Sequence, residues 1–568
     1  MKALKITIIA LLAGFSMASC DFLDKEPTKL TPENYFNTPA EANSFLTGIY
    51  AILSQPTFYG GDYMYLVAGD DLSHYGGSGR GPASTGLICN NATTSDNAVT
   101  AFWYALYSGI NRANMFLENI DKVNGFDAGV KEQYIAEARF LRAFYYFNLV
   151  ECWGDVPFKT VSTQSVTNLN IPRTDKQEIY DFIISEMADA ADTGLKSASD
   201  LAYKPGRISQ STAWGILARV YLFRAGEHYR EGRNATQAEK KDYFERASFY
   251  AQKVMTAGHK LAANYWDPFI DMYNTTANES IWEAEFAGNN TSDTQAEGRI
   301  GNIIGLAGPD LSSKSDVTGA KDPGYGYAFI YSTPKLYNLY VNNGDTKRFN
   351  WSIAPFEYKE AGGKNTGVTH REFEQGKLAE VMSQYGQQRG TYQYADDTEK
   401  TTATKNFSRM CGKYRREYEA DKKDKNYTSI NFPILRYADV LLMIAEAENE
   451  ANNGPTTLAY QCMKEVRERA GLNELPDMTQ EEFRQTVKDE RAMELCFEYT
   501  RRFDLIRWGE YVKNMRALVT EAQSGNNWTQ GPTNVYTYFN ISSTYNYFPI
   551  PDAEMSVNKD ITQNNPGW

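Results

Sequence analysis

This sequence predicts a mainly α fold of helical hairpins that carries large irregular loop regions, and three observations predict it. The first is the stretch 136–157, AEARFLRAFYYFNLVECWGDVP. One apolar line runs Tyr134, Ala138, Leu141, Tyr145, Leu149 at helical steps, and a second runs Phe140, Phe144, Phe147. A helix apolar on most sides must be covered on both flanks, the situation of a helix inside a stacked array. The second observation is that helix, turn, helix recurs at 209–258 and 436–471. The third is that residues 55–100 and 287–331 are rich in Gly, Tyr, Asp and Asn and carry no helical period, and long loops of that kind inside a folded chain are usually functional or disordered.

Taken in order, Lys2 and Lys5 precede an apolar run from Ile6 to Phe15. The run is too short for a spanning helix, which needs about 20 residues, and reads as a secretory signal core. Small residues lead to Cys20, the arrangement of a lipoprotein cleavage box with Cys20 as the acylated first residue. An extended leader broken by Pro27, Pro32 and Pro39 follows. A helix is expected over 41–53, with Phe45, Ile49 and Ile52 on one face. Helical pattern returns at Phe102 and Trp103, continuing through Leu106, Ile110, Ala113 and Leu117. The 136–153 helix ends where Gly154 permits a turn and Pro157 blocks continuation. Further helices are expected over 176–190, from Ser209 to about Gly226, and over 242–256. Residues 281–286, IWEAEF, alternate as a short strand. A short helix over 335–341 and a polar, mostly irregular stretch over 361–428 follow.

The net charge is −13, and loss of Lys2 and Lys5 with the leader takes it to −15. Phosphate backbones demand Lys/Arg clusters, so nucleic acid is excluded as a partner. Without Cys20, five cysteines remain, an odd number with no CxxC spacing, which argues against a disulfide framework or a zinc site. Cys152, Cys462 and Cys496 fall in helical patterns as small core residues; Cys89 and Cys411 fall in loops, where a bridge between them is conceivable. His74, His228, His259 and His370 are too scattered to build a metal or His-based centre.

Several segments together resemble one family. AEARFLRAFYYFNLV followed by GDVP, WYALYSGINRANMFLENI before it, NFPILRYADVLLMIAEA at 431–447, ERAMELCFEYTRRFDLIRW at 490–508, and the closing YFPIPDAEM and NNPGW are similar to the SusD/RagB family of outer-membrane nutrient-binding lipoproteins of Bacteroidota. Asp21-Phe22-Leu23-Asp24 resembles the start of the family's mature chains. The resemblance implies degenerate TPR-like hairpins in a right-handed superhelical array, with irregular structure packed against them. It implies a signal peptide at 1–19, an N-terminal region at 20–229 and a C-terminal region at 275–568, the last two forming one compact body.

Groups that could carry chemistry have plainer readings. Glu490, Glu494 and Glu498 stand four apart, but a di-metal bundle wants Glu-x-x-His on facing helices; salt bridging is expected instead, including Glu498 with Arg502 at i,i+4. Gly76-Gly-Ser-Gly-Arg80-Gly lacks the Lys-Ser/Thr of a phosphate loop and is expected to be a mobile loop carrying Arg80. Asp70 and Asp71 are adjacent and point opposite ways in an extended chain, whereas a glycosidase needs two carboxyls across one bond. No cofactor is expected; structural calcium stays open as an alternative that no motif supports. The chain is 14% aromatic with 39 Tyr. Trp266 and Trp282 are expected to pack. Tyr59, Tyr63, Tyr65 and Tyr75 in the first loop region, and Tyr325 and Tyr327 in the second, have no helical reason to be apolar. The family's glycan sites lie in loop structure, so the resemblance points by region to His74, Tyr75, Arg80, Tyr325 and Tyr327 as ligand contacts, with Asp71 and Asn97 beside them.

The function expected is a surface-exposed, lipid-anchored outer-membrane protein facing the cell exterior. It would capture an oligosaccharide or polysaccharide and deliver it to a SusC-like TonB-dependent transporter, with acylated Cys20 in the membrane and no bond made or broken. A RagB-type protein binding peptides is the alternative, since loop tyrosines suit peptides as well. A surface glycosidase is the enzymatic rival, and it would need an acid/base pair that the sequence does not offer.

Overall fold

A computed structural model describes residues 35–76, 86–163, 165, 169–231, 236–270, 278–287, 298–310, 324–354, 409–419, 423–523, 529–530, 533–534, 538–539 and 541–568. The signal peptide, Cys20 and Arg80 lie outside these residues. The helices that matter here are α1 (Pro39–Tyr50), α2 (Asn97–Asn119), α3 (Val130–Trp153), α4 (Lys176–Thr193), α5 (Gln210–Glu231), α6 (Gln237–Met255), α7 (Pro334–Asn343), α8 (Thr346–Ser352), α9 (Tyr437–Ala451), α10 (Thr457–Arg469), α11 (Gln480–Leu495), α12 (Arg501–Arg507), α13 (Tyr511–Gln523) and α14 (Asp552–Val557). Many starts are written locally. Thr38 with Glu41, Thr236 with Glu239 and Thr479 with Glu482 form capping boxes, and Asp96, Asp175 and Thr456 accept from the first-turn amides.

Neighbours in the array are neighbours in the sequence. α2 packs on α3, α3 on α4, α4 on α5 and α5 on α6; α6 then packs on α9, across the intervening loop regions, and α9 on α10 and α11. This is one-dimensional growth by stacked pairs. α3 is covered on both flanks as its two apolar lines require: from Phe140 to Trp153 every residue is buried. Gly154 turns the chain with φ +73, and a Cβ there would stand 2.7 Å from the Tyr547 ring. The closing segment seals that turn, with Trp153 Nε1 donating to Pro549 O at 2.8 Å and Asn565 Nδ2 to Trp153 O at 3.0 Å.

Short strands frame the loop structure, among them β1 (Ser73–Tyr75), β2 (Val156–Pro157), β3 (Arg173–Thr174), β4 (Ser280–Ala284), β5 (Ile330–Ser332), β6 (Ile353–Ala354), β7 (Met410–Cys411) and β8 (Phe432–Arg436). β1, β5, β7 and β6 make an antiparallel sheet in that order. β4 pairs with β8, and its buried Trp282 packs edge-on to Phe140 and Phe144 of α3, as expected of a packing residue. Trp266 meets Trp351 at 5.6 Å.

Two expectations are corrected, and one question the sequence left open is answered. Tyr59, Tyr63 and Tyr65 are buried: residues 51–63 wind into tight turns against α2 and α3, and Tyr59 stacks on Phe58 at 4.0 Å and on Phe432 at 4.8 Å. Cys89 and Cys411 are both buried, and no disulfide joins them. Glu498 does not pair with Arg502, because α11 stops at Leu495 and Glu498 rides a turn between Phe497 and Tyr499, both at φ +63. It binds Arg436 at 2.8 Å and Lys413 at 2.6 Å, while Arg502 donates to Tyr511 Oη and Tyr545 O. Glu490 and Glu494 do enter ion pairs, fully buried, with Arg348 at 2.6 and 2.9 Å.

Candidate glycan-binding ledge

The two loop regions singled out in the sequence meet. β1 comes from the first and β5 from the second, and they pair Ser73 with Ser332, His74 with Tyr331 and Tyr75 with Ile330. Gly76 N extends the ladder to Phe329 O at 2.8 Å, and Thr333 closes its other end by donating through N to Leu72 O at 2.9 Å and through Oγ1 to Asp71 O at 2.7 Å. Asp71 is buried. Desolvation would raise its pKa, but the guanidinium of Arg501 and the ammonium of Lys335 outweigh it and hold the carboxyl well below the usual carboxylate range.

Immediately before β5, residues 324–329 form a ledge with little freedom. Gly324 turns at φ +78 over the Arg416 side chain. Tyr327 N donates to Asn302 O at 2.7 Å and Phe329 N to Ile303 O at 2.8 Å. The buried amide of Asn302 spans Tyr325 O at 3.2 Å and Lys425 O at 3.1 Å. Buried Arg416 reaches Tyr325 O at 2.8 Å and Tyr427 O at 2.8 Å, its charge answered by Glu419 at 2.8 Å. Backbone groups that would otherwise need water are thereby satisfied within the protein.

On this ledge three rings form a row. Tyr327, 38% exposed, lies nearly parallel to Phe329 with centroids 4.9 Å apart, and Tyr325 stands edge-on to Tyr327 at 4.9 Å. Tyr75 continues the row inward, 5.6 Å from Phe329. The Lys425 ammonium sits 5.4 Å over the Tyr325 ring and pairs with Asp310 at 2.9 Å. Burial and the hydrogen bond with Tyr327 push the Tyr325 hydroxyl above its ordinary pKa, so it stays a neutral donor and acceptor. A half-exposed aromatic face bordered by hydroxyls, an ammonium and a carboxylate can hold a ligand with an apolar face and a polar rim.

Of the residues anticipated from sequence, Tyr325 and Tyr327 stand on the ledge. Tyr75 is buried against Phe329 beneath the ledge, His74 is buried beside Tyr331, and Asp71 anchors β1; their burial leaves these three no open face for a ligand. Asn97 is exposed on the first turn of α2 and takes no part in the bonds that hold the ledge. Phe329, Lys425, Asp310, Asn302 and Arg416 were not anticipated. A signal for Phe329 existed: Tyr325, Tyr327 and Phe329 are spaced by two, the period of one strand face, although Ala328 leaves the extended region at φ +50. Among the described residues, no three His, Cys, Asp or Glu converge as a metal site.

Comparison with known proteins agrees with this architecture. Residues 278–568 match the family described as "SusD family", and residues 21–222 match one described as "Starch-binding associating with outer membrane". The chain is 27% identical to SusD-like protein P2 of Formosa agariphila, covering 100% of both. Among solved structures, a SusD homolog from Bacteroides thetaiotaomicron superposes with a TM-score of 0.78 at 27% identity, covering 96% of this chain and 100% of that one. A laminarin-binding SusD-like protein shares the fold with a TM-score of 0.64 at 21% identity, covering 94% of this chain and 100% of that one.

Proposed function

The chain belongs to the SusD family, and from that premise we propose that it is a non-enzymatic outer-membrane lipoprotein, anchored through acylated Cys20 and facing the cell exterior. It captures an oligosaccharide on the Tyr325–Tyr327–Phe329 ledge and hands it to a SusC-like TonB-dependent transporter. The observation that carries the reading is the exposed ring row on a backbone strapped by Asn302 and Arg416. If a sugar ring stacked there removes about 100 Å² of apolar surface from water, the gain is roughly 2–3 kcal/mol at about 25 cal/mol per Å². Association entropy takes back much of it. The weak capture that results suits a protein that holds long ligands briefly and passes them on. The family description of starch binding and outer-membrane association supports the ligand class and the location.

Affinity gels and calorimetry with starch and laminarin test the capture step. Retardation or heat that disappears in Tyr327→Ala supports it; a protein that binds neither glycan, or that releases reducing ends from them, does not fit. Co-purification of a barrel transporter with the full-length protein from outer membranes tests the partner, and loss of membrane retention in Cys20→Ala tests the anchor.

A further inference from the structure

A groove of about 160 Å³ opens between α2, the stretches 157–163 and 169–171, and α14, on residues that play no part in the ledge. Tyr104 is 44% exposed and Leu169 40% exposed on its walls, so the groove is open to solvent and two of its apolar groups are left uncovered. Trp103 and Tyr107 lie deeper, their rings 5.0 Å apart, and Tyr107 is fixed by its hydroxyl donating to Pro157 O at 2.8 Å. Three polar groups retain hydrogen-bonding capacity. The indole N–H of Trp103, a residue only 1% exposed, has no acceptor among the described residues. The side-chain oxygen of Asn111 accepts from Thr163 N at 2.7 Å, while its NH₂ has no acceptor among the described residues. Glu554 receives Asn558 Nδ2 at 3.3 Å through one oxygen and lines the groove near Tyr104.

We propose that this groove is a second saccharide subsite, taking one neutral hexopyranose unit stacked on Tyr104, with its hydroxyls on the Asn111 amide, the Trp103 indole N–H and the Glu554 carboxylate. A cavity of about 150 Å³ admits a benzene-sized ring, so the space fits a pyranose whose exocyclic groups reach the open side. A wholly apolar ligand would leave the Trp103 and Asn111 donors dry and unpaired, which is costly. Glu554, whose charge adds to burial in raising the Tyr104 hydroxyl, opposes a uronate, while the Lys159 ammonium on the same lining is held by Thr163 Oγ1 at 2.7 Å. The inference rests on the reading of the protein as a glycan binder, but not on the ledge.

Saturation-transfer NMR on the Tyr327→Ala protein isolates the groove. The probes are the methyl glycosides of glucose, galactose and mannose at about 10 mM, a concentration that fills a millimolar site. We expect saturation of the sugar C–H protons by at least one glycoside, and its loss on adding either Tyr104→Ala or Asn111→Ala, with an unchanged melting temperature. No saturation by any of the three, or saturation that survives both added substitutions, overturns the proposal. Failure of the ledge reading has a separate signature: Tyr327→Ala alone would leave the affinity for laminarin oligosaccharides at the wild-type value.

Discussion

Arg501 grips Asp71 with two hydrogen bonds, Nε to Oδ1 at 2.7 Å and Nη2 to Oδ2 at 2.9 Å, across 430 residues of chain. Asp71 leads directly into β1, and Arg501 opens α12, so this one pair ties the root of the ledge's sheet to the C-terminal helices. Removing one partner of a buried pair costs about 3–5 kcal/mol where it strands the other charge; Lys335 still reaches Asp71 Oδ2, so that figure is an upper bound here. Arg501→Met is therefore expected to lower the unfolding free energy from urea titration by up to that much, and Asp71→Leu with Arg501→Met to lose less than Arg501→Met alone. A double variant as unstable as the single one would contradict this.

Stability should also depend on pH through the neighbouring carboxyl. Burial, then the charge of Asp71, pushes Asp70 up to about 7, although its Oδ1 accepts from Leu72 N at 2.8 Å and Ser73 N at 2.9 Å. The folded pKa lies above the unfolded one, so between about pH 4 and 7 the folded state keeps a proton that the unfolded chain has lost. Stability contributed by Asp70 thus falls as pH rises through that window and is flat above it. Asn retains the Oδ1 acceptor without the charge. Asp70→Asn is expected to gain about 1–3 kcal/mol at pH 8, since each tenfold difference in proton affinity between the folded and unfolded chain is worth roughly 1.4 kcal/mol, and nothing at pH 4. A gain equal at both pH values would show that charge is not the cause. Asp439 and Glu446 act with the opposite sign. Burial alone would raise them, but Arg491 with Arg219 and Arg507 respectively bring them down to about 2, so the stability they add is present above about pH 4.5 and is lost as pH falls toward 2.

At the α2/α3 contact, a Cβ on Gly109 would stand 2.5 Å from the Tyr145 ring. That ring is buried, and its hydroxyl is pinned on Ile49 O at 2.7 Å, so it cannot swing aside. Alanine gains about 1 kcal/mol of helix propensity, and overpacking costs up to about 3 kcal/mol. Gly109→Ala should come out destabilised by about 1–2 kcal/mol in thermal or urea melts; a stabilised variant would mean that α2 and α3 can separate at little cost.

Tyr327 and Asn302 should separate contact from support on the ledge. Tyr327 is half-exposed, so Tyr327→Ala is expected to weaken oligosaccharide binding by roughly 30–150-fold, the effect of losing about 100 Å² of apolar contact, with no change in melting temperature. Asn302 is buried and spans two carbonyls, so Asn302→Ala should weaken binding and also cost about 1–3 kcal/mol of stability, the penalty of unsatisfied buried groups. Calorimetry paired with thermal melts checks both, and identical behaviour of the two variants would dissolve the distinction.

The helices were legible because their causes are local. The apolar lines of α3 are a spacing within one segment, so the sequence alone determined them; the capping boxes of Thr38 and Thr236, just as local, start α1 at Pro39 and α6 at Gln237, ahead of the 41 and 242 expected from apolar spacing. The fate of the loop tyrosines was not local. Tyr59, Tyr63 and Tyr65 look from sequence much like Tyr325 and Tyr327, yet the first three lie in the core and only Tyr325 and Tyr327 stand on the ledge. Which ring faces water depends on β1 meeting β5, on Asn302 and Arg416 strapping residues 324–329, and on Arg501 reaching Asp71. Those contacts join segments far apart in the chain, and no pattern of spacing within any one segment encodes them; only the packed tertiary structure decides them.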